Sequence, residues 1–261
     1  MAKKAPAIRA AVFDLDGTLF LGKTPIKGAL ETVAALRKSG IKTLYLTNAG
    51  TRSRKGVADK LNALGFGVED SEIYCGSYIL AMHIRDKYPG KTVFPVGEPG
   101  LSQELEKNGI EVDADGAGAD IVAVCLDRTL TYDKLGKAHV LLRKGALFLA
   151  TNKDHVFPTE RGTMPGAGAI VAALEFSSER TPYVVGKPNP MAFELMKAEH
   201  GIEGGRTIMV GDRLDTDIAF ARNCGMKSAL VLTGNSKKAD IGDLKPDFVL
   251  DSVADLMKRI R

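Results

Sequence analysis

Arg9-Ala-Ala-Val-Phe-Asp14-Leu-Asp16-Gly17-Thr18 is the stretch on which the reading of this chain turns. An apolar run carries straight into two carboxylates separated by one residue, then into a glycine that lets the backbone turn away. Ala10 to Phe13 is apolar on both faces, as a strand buried between two layers of helix has to be. In an open α/β sheet, ligands bind beyond the carboxyl ends of the strands, and Asp14 and Asp16 fall there. An acidic loop would use the same letters, and the chain contains a control. Asp113-Ala-Asp115-Gly116 repeats the spacing after a weaker run and ahead of a glycine/alanine stretch, so it is expected to be a solvated turn.

Working outward, short β-branched runs at residues 9–13, 41–46, 92–94, 121–126, 146–149, 183–185, 207–210, 228–232 and 248–250 alternate with helix-period segments. Leu30, Val33 and Ala34 share one helical face that should stop at Gly40, and Val57, Leu61 and Leu64 share another that should stop at Gly65. This alternation predicts an α/β fold with a doubly wound, Rossmann-like parallel-sheet core. The runs within 9–47 and 183–250 form one group, and a middle block starting near Thr92 has strand–helix units of its own. The expected organisation is therefore a core of residues 1–78 and 180–261 with an inserted α/β cap domain at 79–179. The polar Ser177-Ser-Glu-Arg-Thr-Pro182 supplies the second boundary.

At 261 residues the chain can bury a full core without disulfide or metal staples. Its 44% hydrophobic and 26% charged content excludes disordered and collagenous classes. A net charge of +4 is too small to indicate nucleic-acid binding. No segment reaches the roughly 18 apolar residues of a membrane span, and Arg9 with the two aspartates interrupts any signal-like start. Cys75, Cys125 and Cys224 are too widely separated for a Cys-x-x-Cys site and fit a reducing compartment, so a cytoplasmic location is expected. His83, His139 and His200 have no metal-ligand spacing. Gly166-Ala-Gly168 has neither a third glycine in register nor a preceding strand, and no Gly-x-x-x-x-Gly-Lys-Ser/Thr segment exists.

Three further segments repeat the strand-end placement. Thr47-Asn48 offers a hydroxyl and an amide, Lys187 lies between Gly186 and Pro188, and Gly211-Asp212-Arg-Leu-Asp215-Thr-Asp217 leads into a helix. Each alone reads equally well as a helix cap or a surface charge; together they present carboxylates, a hydroxyl, an amide and a cation to one sheet edge. Two carboxylates about 4 Å apart repel by about 4 kcal/mol at an effective dielectric near 20, so Asp14, Asp16, Asp212 and Asp217 cannot share a pocket ionised without a positive partner. With no cysteine or histidine nearby, an all-oxygen set favours a hard cation, Mg2+ first. Lys187, Thr47 and Asn48 then make a phosphate-sized receptor, and the whole suits phosphoryl transfer through an aspartyl-phosphate.

These segments, in this order, resemble the haloacid dehalogenase superfamily of phosphohydrolases. The insertion, with Phe148-Leu-Ala-Thr-Asn152-Lys-Asp154 and Met164-Pro-Gly-Ala-Gly168, is similar to its NagD / p-nitrophenyl phosphatase branch. The resemblance covers nearly the whole chain. It implies that Asp14 attacks phosphorus, that Asp16 protonates the leaving oxygen and later deprotonates water, and that Thr47, Asn48 and Lys187 hold the phosphoryl oxygens. It further implies magnesium bound by the Asp14 carboxylate, the Asp16 carbonyl and Asp212, with Asp217 acting through water. The insertion would be the cap, with Asn152, Asp154, His155 and Phe157 as substrate contacts from a loop after a cap strand. One departure is Ala49-Gly50, where relatives often carry a second polar residue after the asparagine. The substrates implied are small phosphate esters such as phosphoglycolate, sugar phosphates, nucleoside monophosphates or p-nitrophenyl phosphate, and a homodimer is the assembly the branch suggests. Phosphomutase chemistry on the same core, or a catalytically silent phosphometabolite-binding regulator, are the competing expectations.

Overall fold

The computed structural model describes residues 7–159 and 162–260. In chain order its strands and helices are β1 (Ala10–Phe13), β2 (Phe20–Leu21), β3 (Thr24–Pro25), α1 (Ala29–Lys38), β4 (Lys42–Thr47), α2 (Arg54–Ala63), β5 (Ile73–Cys75), α3 (Gly76–Lys87), β6 (Val93–Val96), α4 (Pro99–Lys107), β7 (Ile121–Val124), α5 (Tyr132–Arg143), β8 (Leu147–Ala150), β9 (Val156–Thr159), β10 (Gly162–Pro165), α6 (Ala167–Ser178), β11 (Tyr183–Val184), α7 (Met191–His200), β12 (Thr207–Gly211), α8 (Ala219–Asn223), β13 (Lys227–Val231) and β14 (Phe248–Leu250). No helix among the described residues is long and apolar enough to cross a membrane.

The described residues of Met1–Thr47, Lys60–Ile73 and Lys187–Arg261 make one compact unit, and those of Asn48–Asp59 and Tyr74–Gly186 a second. The first carries β14, β13, β12, β1 and β4 of a sheet ordered β14-β13-β12-β1-β4-β5, whose last strand begins at its boundary residue Ile73. All four residues of β1 are buried, as their apolar character on both faces requires. β1 runs parallel to β12 and to β4, with Phe13 level with Val210 on one side and Tyr45 on the other. The strand order reverses between β1 and β12, so the carboxyl ends of these strands flank the crevice where such folds bind ligands. α1 buries Ala29, Thr32, Val33 and Leu36, and its chain turns at Gly40 with a left-handed φ of 73°. Ala34, expected on the buried face, is exposed, because the stripe continues through Thr32 and Leu36 instead.

The second unit is built on a four-stranded sheet in the order β11-β8-β7-β6, parallel throughout. Phe94, Val122, Val124, Phe148, Val171 and Leu174 lie in its core. An antiparallel hairpin of β9 and β10 sets Phe157 opposite Met164. The units divide before Tyr74 and after Gly186, not at 78/79 and 179/180, and the second also takes in residues 48–59. Two observations bear on the expected boundaries. A break after Tyr78 would cut α3, whose residues Gly76 to Ile84 are all buried. The 183–185 run, grouped by sequence with the outer strands, pairs in parallel with β8 through Tyr183 and Val184. Asp113 sits in a turn, as expected, and accepts the amides of Gly116 and Gly118 at 2.9 Å each.

Candidate active site

The backbone amide of Asp14 donates to the Val210 carbonyl at 2.9 Å, which seats the residue at the carboxyl end of β1 beside β12. After Leu15 and Asp16 the chain reverses at Gly17, φ 84°, and the Gly17 amide donates to the Phe20 carbonyl at 2.8 Å. Glycine is required there twice over. The left-handed φ disfavours any side chain, and a Cβ would stand 2.7 Å from Oδ2 of Asp212.

Asp212 follows β12 directly. Its Oδ2 accepts two hydrogen bonds from Asn235, from the amide at 2.6 Å and from Nδ2 at 2.7 Å. Residues Leu214–Ile218 are wound as a wide π turn, a form frequent at functional sites. It turns Asp217 back so that Oδ2 accepts the Arg213 amide at 3.0 Å. Gly211 makes room for this, since a Cβ there would lie 2.3 Å from the Asp217 carboxyl carbon. Lys187 is nearly sealed from solvent, at 2% side-chain exposure. Its Nζ donates to Asp14 Oδ1 and Asp217 Oδ1 at 2.6 Å each, and to the Leu46 carbonyl at 3.3 Å.

Three carboxylates around one ammonium leave an excess of negative charge in a dry place. Burial pushes the Asp14 carboxyl well above the ordinary carboxylate range; Lys187 pulls against this, while Asp217 and Asp212 add to the rise. Burial likewise raises Asp212, with the Asp217 charge acting in the same direction. For Lys187, burial opposes the charge, but the combined attraction of Asp14 and Asp217 outweighs it and holds the ammonium above its ordinary range. One oxygen from each of Asp14, Asp212 and Asp217 lies within 4.8 Å of the others. This all-oxygen, net-negative set fits a hard divalent cation.

Asp16 stands apart from that cluster, half exposed. Burial of its remainder raises the carboxyl, against a downward pull from Lys60. Thr47 closes β4 and is buried, as is Asn48, the next residue, whose Oδ1 would lie 2.7 Å from a Cβ at Gly186. At Ala49-Gly50 the second position has little room for a side chain, since a Cβ on Gly50 would press on Cys125 at 3.0 Å and Thr151 at 3.1 Å. The four remaining sequence candidates belong to the second unit. Asn152 is buried, with Nδ2 donating to the Asn48 carbonyl at 2.8 Å and Oδ1 accepting the Asp154 amide at 3.0 Å, so its side chain fastens a loop. Asp154 and Phe157 are half-buried, and His155 is exposed.

Sequence reasoning missed Asn235, and with it Thr18, whose Oγ1 donates to Asp14 Oδ2 at 3.5 Å, and Thr233, whose Oγ1 donates to the Gly17 carbonyl at 2.6 Å. The signal was present: Thr233-Gly234-Asn235 follows a strand run at 228–232, the same placement that singles out Thr47 and Lys187.

Residues 11–111 match a family model described as haloacid dehalogenase-like hydrolase, and residues 184–256 match a second described as HAD-hydrolase-like. The chain is 36% identical to the 5'-nucleotidase YutF of Bacillus subtilis over 94% of its own length and 95% of that protein's. It is 37% identical to the sugar-phosphatase AraL of the same organism, over 95% and 91%. Among solved structures, the 4-nitrophenylphosphatase of Thermotoga maritima superposes with a TM-score of 0.93 at 34% identity, covering 97% of this chain and 98% of the other.

Proposed function

The chain belongs to the haloacid dehalogenase-like hydrolases and is a phosphoric monoester hydrolase; from that premise we propose that it hydrolyses small phosphorylated metabolites through a phospho-enzyme on Asp14, with Mg2+ as cofactor. The observation that carries the reading is the Asp14–Lys187–Asp217 contact beside Asp212, in which one buried ammonium holds two carboxylates at the carboxyl ends of the strands, with a third carboxylate close by.

In this reading a carboxylate oxygen of Asp14 attacks phosphorus as the ester P–O bond breaks, and Asp16 gives its proton to the departing alkoxide. Asp16 then takes a proton from water, whose oxygen bonds to phosphorus as the Asp14 O–P bond breaks and phosphate leaves. Lys187, with Thr47 and Asn48, binds the phosphoryl oxygens, and Lys187 also fixes Asp14 in line. Asp14, the Asp16 carbonyl and Asp212 would hold the metal, with Asp217 reaching it through water. When bound, the cation screens the carboxylates and neutralises charge on the transferring group. Asn152, Asp154, His155 and Phe157 are the substrate-contact candidates of the second unit. The relatives act on nucleotides, sugar phosphates and 4-nitrophenyl phosphate, and a small phosphate ester is the class proposed here.

Asp14→Asn is expected to abolish release of p-nitrophenol from p-nitrophenyl phosphate, and EDTA to do so reversibly. Retention of a tenth of wild-type turnover by Asp14→Asn would rule out the covalent route.

A further inference from the structure

Asn235 has no part in the reaction just described. It stands in the loop after β13, and that loop is fastened at three points besides its own. Thr233 Oγ1 donates to the Gly17 carbonyl at 2.6 Å, the Ser236 amide to the Asp212 carbonyl at 3.0 Å, and the Leu214 amide to Ser236 Oγ at 3.1 Å. Held in this way, Asn235 presents both its own amide and its Nδ2 to a single oxygen, Oδ2 of Asp212, at 2.6 and 2.7 Å. Two donors fill the lone pairs that one carboxylate oxygen offers. Two glycine backbones wall in the same atom: a Cβ at Gly17 would stand 2.7 Å from it, and one at Gly234 2.0 Å. Oδ2 is therefore closed to a cation, and Oδ1 is the oxygen that Asp212 has left to offer.

We propose that Asn235 is a positioning residue that restricts Asp212 to ligation through one oxygen and so selects Mg2+ over Ca2+. The inference rests on the reading of Asp212 as a metal ligand. Mg2+ demands near-ideal octahedral geometry at about 2.0–2.1 Å, which a single fixed oxygen suits. Ca2+ accepts about six to eight oxygens at roughly 2.3–2.6 Å and takes carboxylates through one oxygen or both. A carboxylate that cannot turn, and whose second oxygen is occupied, withholds from Ca2+ the extra ligand it would otherwise gain. The main-chain amide at 235 is available to almost any residue. The second donor needs an amide side chain, because Nδ2 returns to the same oxygen as its own backbone.

Calorimetric titration of the full-length chain, stripped with EDTA and dialysed, with MgCl2 and separately with CaCl2 gives the ratio of the two dissociation constants. The wild type is expected to bind Mg2+ the more tightly. Asn235→Leu has nearly the same shape without the donor, and it leaves the loop's three other hydrogen bonds in place. It should weaken Mg2+ binding about 10–100-fold, the usual effect of removing an outer partner of a metal ligand. Ca2+ affinity should be unchanged or higher, so the ratio should shift toward Ca2+ at least tenfold. Asn235→Gln, which keeps an amide donor, should return the ratio to within threefold of wild type. Equal weakening of both ions by Asn235→Leu, as a general loosening of the site would give, overturns the proposal. So does an unchanged ratio, or a wild type that binds Ca2+ as tightly as Mg2+. Asn235→Ala is the second variant should Asn235→Leu fail to fold. A wild type that binds neither ion overturns this inference and the metal reading together, whereas the other outcomes leave Asp212 a ligand.

Discussion

A single methyl group at residue 234 is expected to silence the site. The Gly234 backbone is not left-handed, so alanine costs nothing in φ, but its Cβ would lie 2.0 Å from Oδ2 of Asp212 and 2.6 Å from its Cβ. Asp212 cannot swing aside without losing both hydrogen bonds from Asn235. Displacing a catalytic group by about an ångström costs on the order of a hundredfold in rate. Gly234→Ala should therefore lower kcat on p-nitrophenyl phosphate by about that factor, with an unchanged far-ultraviolet circular dichroism spectrum. A variant with near wild-type kcat would mean that Asp212 tolerates the shift. The strand-end rule leads directly from sequence to Asp14, Lys187, Asp212 and Asp217, four residues the fold brings into contact or within 4.8 Å. Gly234 and Asn235 obey the same rule with weaker letters: an amide and a missing side chain carry no charge imbalance that demands a partner, and charge imbalance is what made the acidic residues legible.

At the scale of elements, nine of the fourteen described strands could be read from an apolar run, β2, β3, β5, β9 and β10 could not, and no run disclosed its partner. β11 shows why. Two residues, Tyr183 and Val184, have too little pattern to specify a sheet, and backbone pairing with β8 decides the matter. Polar groups that join one element to the next are equally hard to read, and Asp127 is the clearest example. It follows β7, its side chain is fully buried, and it accepts from Lys134 Nζ of α5 and Thr129 Oγ1, each at 2.7 Å. Lys134 also donates to the Gly97 carbonyl at 3.1 Å, so one ion pair ties α5 to the ends of β6 and β7. Burial works to raise the Asp127 carboxyl, but the hydrogen bonds from Lys134 and Thr129 prevail and hold it below the ordinary range. Asp127→Ala should cost about 1–3 kcal/mol in urea denaturation at pH 7, the penalty for unmaking a buried charge-assisted contact. A depressed carboxyl stabilises the fold above its unfolded value of about 3.9 and ceases to do so as pH falls through the folded value. The gap between variant and wild type should thus be full at pH 7 and close below about pH 4. A gap that persisted undiminished at pH 2.5 would mean that the pairing was not its source.

For the whole molecule, the chain's discontinuity is the governing fact. Asp14, Lys187 and Asp212 come from segments that meet only once the first unit has folded, and the second unit is built from residues 48–59 and 74–186. A probe that reports on each unit separately is already present in the three free cysteines. Cys75 and Cys125 are buried in the second unit, and Cys224 is half-buried in the first. Burial raises the thiol of Cys75 to about 11 and those of Cys125 and Cys224 to about 12. At pH 8 a thiol at about 11 is ionised in roughly one molecule in a thousand, and only the thiolate is alkylated at a useful rate. The folded protein should therefore show no carbamidomethyl adduct on any of the three after an hour in iodoacetamide at pH 8, by intact-mass spectrometry. In 8 M urea the thiols return to about 8.5 and all three should be modified. Rapid native labelling of Cys75 or Cys125 would mean that the second unit opens readily. Labelling of Cys224 alone would place the opening in the first, next to the helix that follows Asp217.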